Sequence, residues 1–531
     1  MAMGSPRIVV IGGGFAGTTA ARHLLRRHRD MSVLLVSQEN YFVYQPLLPE
    51  VVGGAIHALD TVAPLREMLP GAELRAASVR TVDLTQRWIE VVEGSAGRVE
   101  RLAYDHLVLA MGLVADLSRY PGLEEHGFTV KDAAEAYALR NHVIGCLEQA
   151  AIMGDESHRK RLLTFVVVGG GYSGIEVLGE MHELVRRALP FYPTLHATAP
   201  RFVLVEYQNA ILPEVPQDLA HYAHRVLHGR GIEFMLGHGV KAAAATALEL
   251  DDGTIIDTMT VVATIGNGPT PLARELGLKM EHGRIVTEPD MRVPDFDNVW
   301  AIGDAASTPL ARSDRPAPPT AQAAVREGEI LAANILAAMD GRPTQPLTFK
   351  SRGAFASLGG RRAVALVFGL RLSGLSAWLL WLVAYAAMLP TWSTRIRVTL
   401  ERLLDLALPR SVTRTRMGGV APSRYVRHRA GDVVLSPGQL GDGVHLVIEG
   451  SYEQAAPEGA GKVFLPGDSF GQAEIAAGMP HKRFVRAREP SRCFILGREE
   501  YLNIQEALRQ ARERLPAGQG AAGSAAIPSE G

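Results

Sequence analysis

Cysteine is nearly absent. Cys146 and Cys493 are the only two in 531 residues. They form no C-x-x-C pair and fall in different expected domains. A disulfide framework, a thiolate metal centre of local spacing and a redox dithiol are therefore excluded. An excess of charge of one sign is lacking too. Lys plus Arg number 55 and Asp plus Glu 56, a formal net charge of −1, which argues against a nucleic-acid partner for the chain as a whole. Long apolar runs are missing. The stretch 375–389 falls short of the roughly 20 residues that span a bilayer. The opening MAMGSPRIVV has no apolar core of a secretion signal, so the cytoplasmic side is the expected compartment. His221, His224 and His228 can share one helical face. No acid or cysteine accompanies them at ligand spacing, and no metal is expected.

Glycine is plentiful, at 54 residues, and hydrophobic residues make up 47% of the chain, enough for several cores. Two stretches concentrate the information. Residues 7–17, RIVVIGGGFAG, read as a buried parallel strand, then Gly12, Gly14 and Gly17 at GxGxxG spacing, then a helix. Such a turn lets backbone approach a pyrophosphate, and the helix end aims free N–H groups at it. Residues 165–174, FVVVGGGYSG, repeat the pattern with Gly169, Gly171 and Gly174. Two copies in one chain imply two dinucleotide sites, hence electron transfer between two cofactors.

The strand after each glycine helix normally ends in an acid for the ribose. In the first unit that position falls on Ser37, with Glu39 two residues on as the alternative. In the second it falls on Glu206, which suits the free 2′-hydroxyl of NADH and offers nothing to a 2′-phosphate. Glu176 is expected in the first turn of its helix, where a carboxylate is favoured. The strand at 104–112 ends in a turn at Gly112, and the second unit closes at Gly266. The strand at 297–302 runs into Gly303 and Asp304, placing Asp304 where a buried flavin chain can pass. A proline-started helix follows, with Gln322 in its first turn.

The last third changes character. The run at 375–389 and the amphipathic stretch beyond it carry Arg371, Arg395, Arg397 and Arg402, with Trp378, Trp381 and Trp392 as interfacial anchors. This reads as helices lying in a membrane surface. A buried helix pair or a dimer contact is the alternative. Arg410, Arg414, Arg416, Arg424, Arg427 and Arg429 make the linker basic, to meet anionic lipid or simply to be solvated. Short strands and glycine turns over 425–508 predict a small antiparallel barrel. The Ala/Gly/Ser-rich stretch 516–531 predicts disorder.

With those residues in hand, the first 415 or so resemble the type II NADH dehydrogenases, single-subunit NADH:quinone oxidoreductases. The resemblance rests on both glycine motifs, YQPLLPEV at 44–51, VVGGGYSGIE at 167–176, AIGDA at 301–305, PPTAQ at 318–322 and the tryptophan-bearing C-terminal helices. It implies an α/β fold: two Rossmann-like dinucleotide-binding domains, membrane-surface helices, then a small β-barrel. The implied boundaries are 1–161 with 267–350 for FAD, 162–266 for NADH, 351–415 for the membrane helices, 424–512 for the barrel and 513–531 for the tail. It implies FAD against Gly12, Gly14, Gly17, Ser37, Glu39, Gly112, Gly303 and Asp304. NADH is implied against Gly169, Gly171, Gly174, Glu206 and Gly266. Glu176 and Gln322 become the catalytic pair beside the flavin and a membrane quinone.

The resemblance also implies docking on the cytoplasmic face of the membrane, no proton pumping, and leaves a homodimer open. Arg326 stands where the family has a second glutamine, which keeps reduction of a soluble redox protein as an alternative. A flavin redox sensor coupled to the tail is another. The tail is similar to cyclic-nucleotide-binding domains. Gln472 and His481 replace its ribose-binding glutamate and phosphate-binding arginine, which argues against a cyclic nucleotide ligand.

Overall fold

β-branched runs bounded by glycine turns become parallel strands in the computed structural model. It describes residues 5–27, 31–94, 97–195, 198–311, 313, 315–415, 423–438, 441–455, 461–477 and 479–513. Arg416 and the tail beyond 513, expected to be a basic linker and disordered, lie outside the described residues. The chain divides into two compact units. The first comprises Met1–Arg119, Phe128–Val240 and Thr260–Arg414; the second comprises Tyr120–Gly127, Lys241–Met259 and Thr415–Gly531.

In the first unit, strand Arg7–Ile11 is flanked in parallel by Ser32–Ser37 and His106–Leu109, with Val9 in register with Leu34 and Leu107. Val299–Ala301 extends this sheet beyond His106–Leu109. On the other side come Glu73–Asp83 and an antiparallel pair, Trp88–Glu93 and Arg98–Ala103. Strands buried on both faces read as continuous Val/Ile/Leu runs, as RIVVI and SVLLVS do. A second parallel set runs Thr260–Ala263, Thr164–Val168, Arg201–Glu206, Ile232–Leu236. Each central strand therefore has its glycine turn at the carboxyl end, where open α/β sheets bind ligands.

A three-stranded meander, Gly353–Ser357, Ala363–Val367 and Leu370–Gly374, leads into helices Leu375–Met388 and Trp392–Ala407. Thr391 caps the second helix, its side chain accepting from the Thr394 N–H. Among the described residues no helix is long and apolar enough to cross a membrane.

The second unit contains two four-stranded antiparallel sheets around Tyr452, Phe464, Phe470 and Cys493. It also holds the hairpin of Ala247–Leu250 and Ile255–Asp257, whose turn is the Asp251–Thr254 stretch. Arg427 and Arg492 both face Glu125, at 3.6 and 2.9 Å, and Arg429 meets Asp257 at 3.2 Å. Two expected linker cations, Arg427 and Arg429, thus have acidic partners.

Candidate functional site

The two glycine turns are built alike. Gly12, at φ +115°, donates to the Val36 carbonyl at 2.9 Å, and Gly169, at φ +110°, donates to that of Val205 at 2.8 Å. A Cβ on Gly17 would collide with the Gly12 carbonyl, and one on Gly174 with the Gly169 carbonyl. These glycines hold strand and helix in close approach. Gly14 and Gly171 differ, because a Cβ on either would meet nothing within 4 Å. Both face open space at a helix N-terminus, a cradle of the shape a pyrophosphate needs.

The residue ending the next strand lies against each turn. Glu206 accepts from the Gly170 N–H at 2.5 Å and the Gln208 N–H at 2.8 Å. Ser37 occupies the matching place, its Oγ 2.8 Å from where a Cβ on Gly13 would stand. Glu39 is exposed, outside the turn. Gly112 (φ +67°) has open space beside it, and the Gly266 carbonyl (φ +76°) accepts from the Asp116 N–H.

Strand Val299–Ala301 delivers Gly303, at φ +71°, and Asp304 beside the first turn. Burial raises the Asp304 pKa, while Arg284 and Lys131 draw it back. The Gly303 N–H is held by the carboxylate of Glu327, a group the sequence reading missed. Glu327 is 1% exposed, and burial pushes its pKa up to about 8 against the pull of that N–H and of Arg284. Its signal was an acid inside the apolar helix Ala321–Met339, next to Gly328, which packs on Ala16 and Ala20.

Gln322 and Glu176 bind opposite ends of one strand, Gly353–Ser357. The Gln322 amide donates to the Gly353 carbonyl at 2.9 Å and accepts from the Arg352 N–H at 3.2 Å. At the other end, Glu176 accepts from the Ser357 N–H at 3.0 Å. Four residues of strand separate these contacts by about 13 Å. Arg326, the expected perturbation, is exposed and bonds to the Thr348 carbonyl and to Glu329.

The expected placing of Glu176 needs correcting. Its helix starts at Tyr172, so Glu176 lies in the second turn, buried, and not at the favourable helix end. Burial pushes its pKa up to about 8; Ser357 opposes this, and Glu50 and Glu180 add to it. Each neighbouring acid has its own cation. Arg402 pairs with Glu50 (Nε to Oε1, 3.1 Å) and Arg410 with Glu180 (2.8 Å). Both arginines were expected at the lipid surface or in the linker, yet their side chains are about as buried as the acids they neutralise. Desolvated charges persist only when paired, and Glu50 and Glu180 supply that pairing.

Trp381, another expected anchor, is 2% exposed, its ring tilted against that of Tyr385 at 5.2 Å. Rings continue from Tyr385 to Tyr44 at 6.3 Å and from Tyr44 to Phe15 at 5.7 Å, reaching the first glycine turn. The Tyr44 hydroxyl is buried without a hydrogen-bond partner. Trp392 remains exposed, in a row with Leu375, Leu379, Val383, Ile396 and Leu400.

Both cysteines are free and buried, their thiols pushed up to about 11 by burial. Such thiols are poor nucleophiles at neutral pH. In the second unit, Gln472 donates to Ser469, and His481 is 4% exposed with Glu474 at 3.8 Å.

The model of the family described as pyridine nucleotide-disulphide oxidoreductase matches residues 6–328. The chain belongs to that family. This family member also matches the NDH2 C-terminal domain over 351–406 and a cyclic nucleotide-binding domain over 425–507. The type II NADH:quinone oxidoreductase Ndh of Mycobacterium tuberculosis is 29% identical over 411 residues, 74% of this chain and 87% of that one. The demethylphylloquinone reductase NdbB of Synechocystis is 30% identical over 408 residues, 75% of this chain and 96% of that one. The solved structure of NDH2 from Plasmodium falciparum in complex with NADH has a TM-score of 0.71 at 18% identity. It covers 77% of this chain and 100% of that one, a likeness of fold. Within the oxidoreductase family, this member keeps both dinucleotide folds and has no cysteine pair for a redox disulfide.

Proposed function

We propose that the chain oxidises NADH and passes the electrons through FAD to a membrane quinone, without proton pumping. The observation that carries the reading is the pair of open glycine cradles in one unit, at Gly14 and at Gly171. The names of the two relatives supply the acceptor class. When bound, the flavin supplies two-electron acceptance from a hydride and onward electron transfer.

The chain's own residues bind and orient. Gly12, Gly14, Gly17, Ser37, Gly112, Gly303 and Asp304 hold FAD, with Ser37 better placed than Glu39. Gly169, Gly171, Gly174, Glu206 and Gly266 hold NADH. The Glu206 carboxylate, fixed by two N–H donors, faces the ribose and repels a 2′-phosphate. Glu176 keeps its proton near neutral pH and donates it toward the reduced acceptor, while Gln322 lines the same strand.

The domains take the boundaries implied by the resemblance, except that 120–127 and 241–259 belong to the compact unit of the barrel. The exposed apolar row of the two C-terminal helices docks on the cytoplasmic face of the membrane. The barrel binds no cyclic nucleotide, because its cassette offers an amide and a buried imidazole.

The test is an acceptor screen on flavin-loaded protein. NADH is expected to bleach the flavin absorbance anaerobically and to turn over with a quinone analogue. Bleaching without quinone turnover, together with turnover on a soluble redox protein, would replace the quinone. Tight NADH binding with no turnover on any acceptor would make the flavoprotein a sensor.

A further inference from the structure

Helices Tyr172–Ala188 and Gln217–His228, with the turn around Gly360, enclose a cleft of about 520 Å³. His182, Arg186, Tyr222, Arg225, Arg230 and Arg362 line it. Its acid, Glu183, is already engaged by Arg186 at 2.9 and 2.6 Å and by Arg187 at 2.7 Å. Among the described residues, Arg225, Arg230 and Arg362 have no carboxylate partner.

Arg230 spends its donors on the carbonyls of Leu358 and Gly359, at 2.5 and 3.0 Å. Those bonds fix the guanidinium without neutralising it. Burial lowers its pKa; Glu183 and Glu180 oppose this, and neighbouring Arg362 adds to the lowering. The Nδ1 of His182 is buried with no partner. One acid shared among these arginines leaves the cleft with an excess of positive charge, which an anion stabilises.

The cleft is separate from the nucleotide cradles, since His182 lies about 15 Å along its helix from the glycine turn. It adjoins the strand that leads into the apolar helices, since Ala363 beside the Gly360 turn pairs with Gly374. Arg371 reaches Asp218 on the cleft helix at 3.0 Å. The Tyr222 hydroxyl lies 3.1 Å from where a Cβ on Gly374 would stand, at the start of helix Leu375–Met388.

We propose that this cleft binds a phosphate group, as the phosphodiester of an anionic lipid or as a free phosphomonoester. Guanidinium forks match phosphate oxygens two at a time, which ammonium groups cannot do. The lipid source rests on the membrane-surface reading above, which the experiment measures separately.

Flotation is compared on vesicles of phosphatidylcholine alone and of phosphatidylcholine mixed with phosphatidylglycerol. Binding to the neutral vesicles reports the apolar face; the gain from phosphatidylglycerol reports the cleft. The double variant Arg225→Gln/Arg362→Gln alters two exposed side chains with no acidic partner. It is expected to lose about thirtyfold of that gain, the weight of two basic groups at an anionic surface. The charge-matched Arg80→Gln/Arg98→Gln is expected to keep it.

A second arm titrates inorganic phosphate and glycerol 3-phosphate by calorimetry. Saturable heat that the double variant abolishes, with unchanged flotation, supports the cleft and makes the source a soluble phosphate. Equal losses in both double variants, or wild-type behaviour of Arg225→Gln/Arg362→Gln in both arms, overturn the proposal.

Discussion

Arg402 and Glu50 lie 352 positions apart and meet in a buried two-point ion pair, with Nε 3.1 Å from Oε1. The Arg402 guanidinium also lies over Trp381, 4.8 Å from the ring centroid, and donates to the Leu382 carbonyl at 3.1 Å. One side chain thus ties helix Trp392–Ala407 to helix Leu375–Met388 and to helix Leu48–Gly53. Arg410 repeats the device on Glu180 and on the Gly53 carbonyl, at 2.8 Å each. The apolar row is therefore fastened to the nucleotide-binding part of its unit by buried charge.

Arg402→Leu leaves Glu50 buried and unpaired, and is expected to cost about 3–5 kcal/mol. The first thermal transition should fall by several degrees. Adding Glu50→Leu should recover most of the loss, because two apolar groups need no counter-ion. A double variant no more stable than the single one would show that the pair carries little of the energy.

Gly14→Val and Gly17→Val separate cradle from scaffold. A Cβ at 14 meets no protein atom within 4 Å, so the fold should survive valine there while the flavin is lost. Valine at 17 collides with the Gly12 carbonyl, so the fold itself should suffer. Absorbance of the purified proteins and circular dichroism check this pair. Full flavin in Gly14→Val would remove the first site.

Glu206→Gln should narrow the preference for NADH over NADPH by about tenfold or more in kcat/KM, one close charge contact being worth about 1–4 kcal/mol. Steady-state kinetics with both donors decide it. An unchanged ratio would move the ribose contact elsewhere.

Glu176 ties stability and turnover to pH. Its pKa rises from 4.5 unfolded to about 8 folded. Between those values the folded state keeps a proton that the unfolded state releases, so this group's contribution falls as pH climbs from 4.5 to 8. Glu176→Gln removes the titration. Its melting temperature should gain on wild type across that window and hold a constant lead above it. Quinone reduction by wild type should weaken as pH passes about 8. Parallel melting curves for the two proteins would contradict the buried, protonated carboxyl.

Addition of cAMP or cGMP should shift neither the melting temperature nor the rate of NADH oxidation. A ligand that prefers the folded state must raise its melting point by mass action. His481 is buried beside Glu474 and burial lowers its pKa, so it offers no permanent cation to a cyclic phosphate. Thermal shift and calorimetric titration test this, and micromolar binding of either nucleotide would refute it.

The sequence by itself determined what depends on local spacing. Both strand–glycine–helix turns, Ser37 and Glu206 at the strand ends, Gln322 in a first helical turn and the short-stranded barrel were legible because each is set within a few residues of chain. Tertiary structure alone decided what the charges do. Arg402 read as a membrane-surface cation, Arg410 as a linker cation meeting lipid or solvent, Trp381 as an anchor and Glu176 as a helix-end acid. Folding buries all four: the arginines against Glu50 and Glu180, the tryptophan beneath Arg402, and Glu176 among the carboxylates. A charge has no fixed role until its partner and its dielectric are known, and partners hundreds of residues away leave no local pattern.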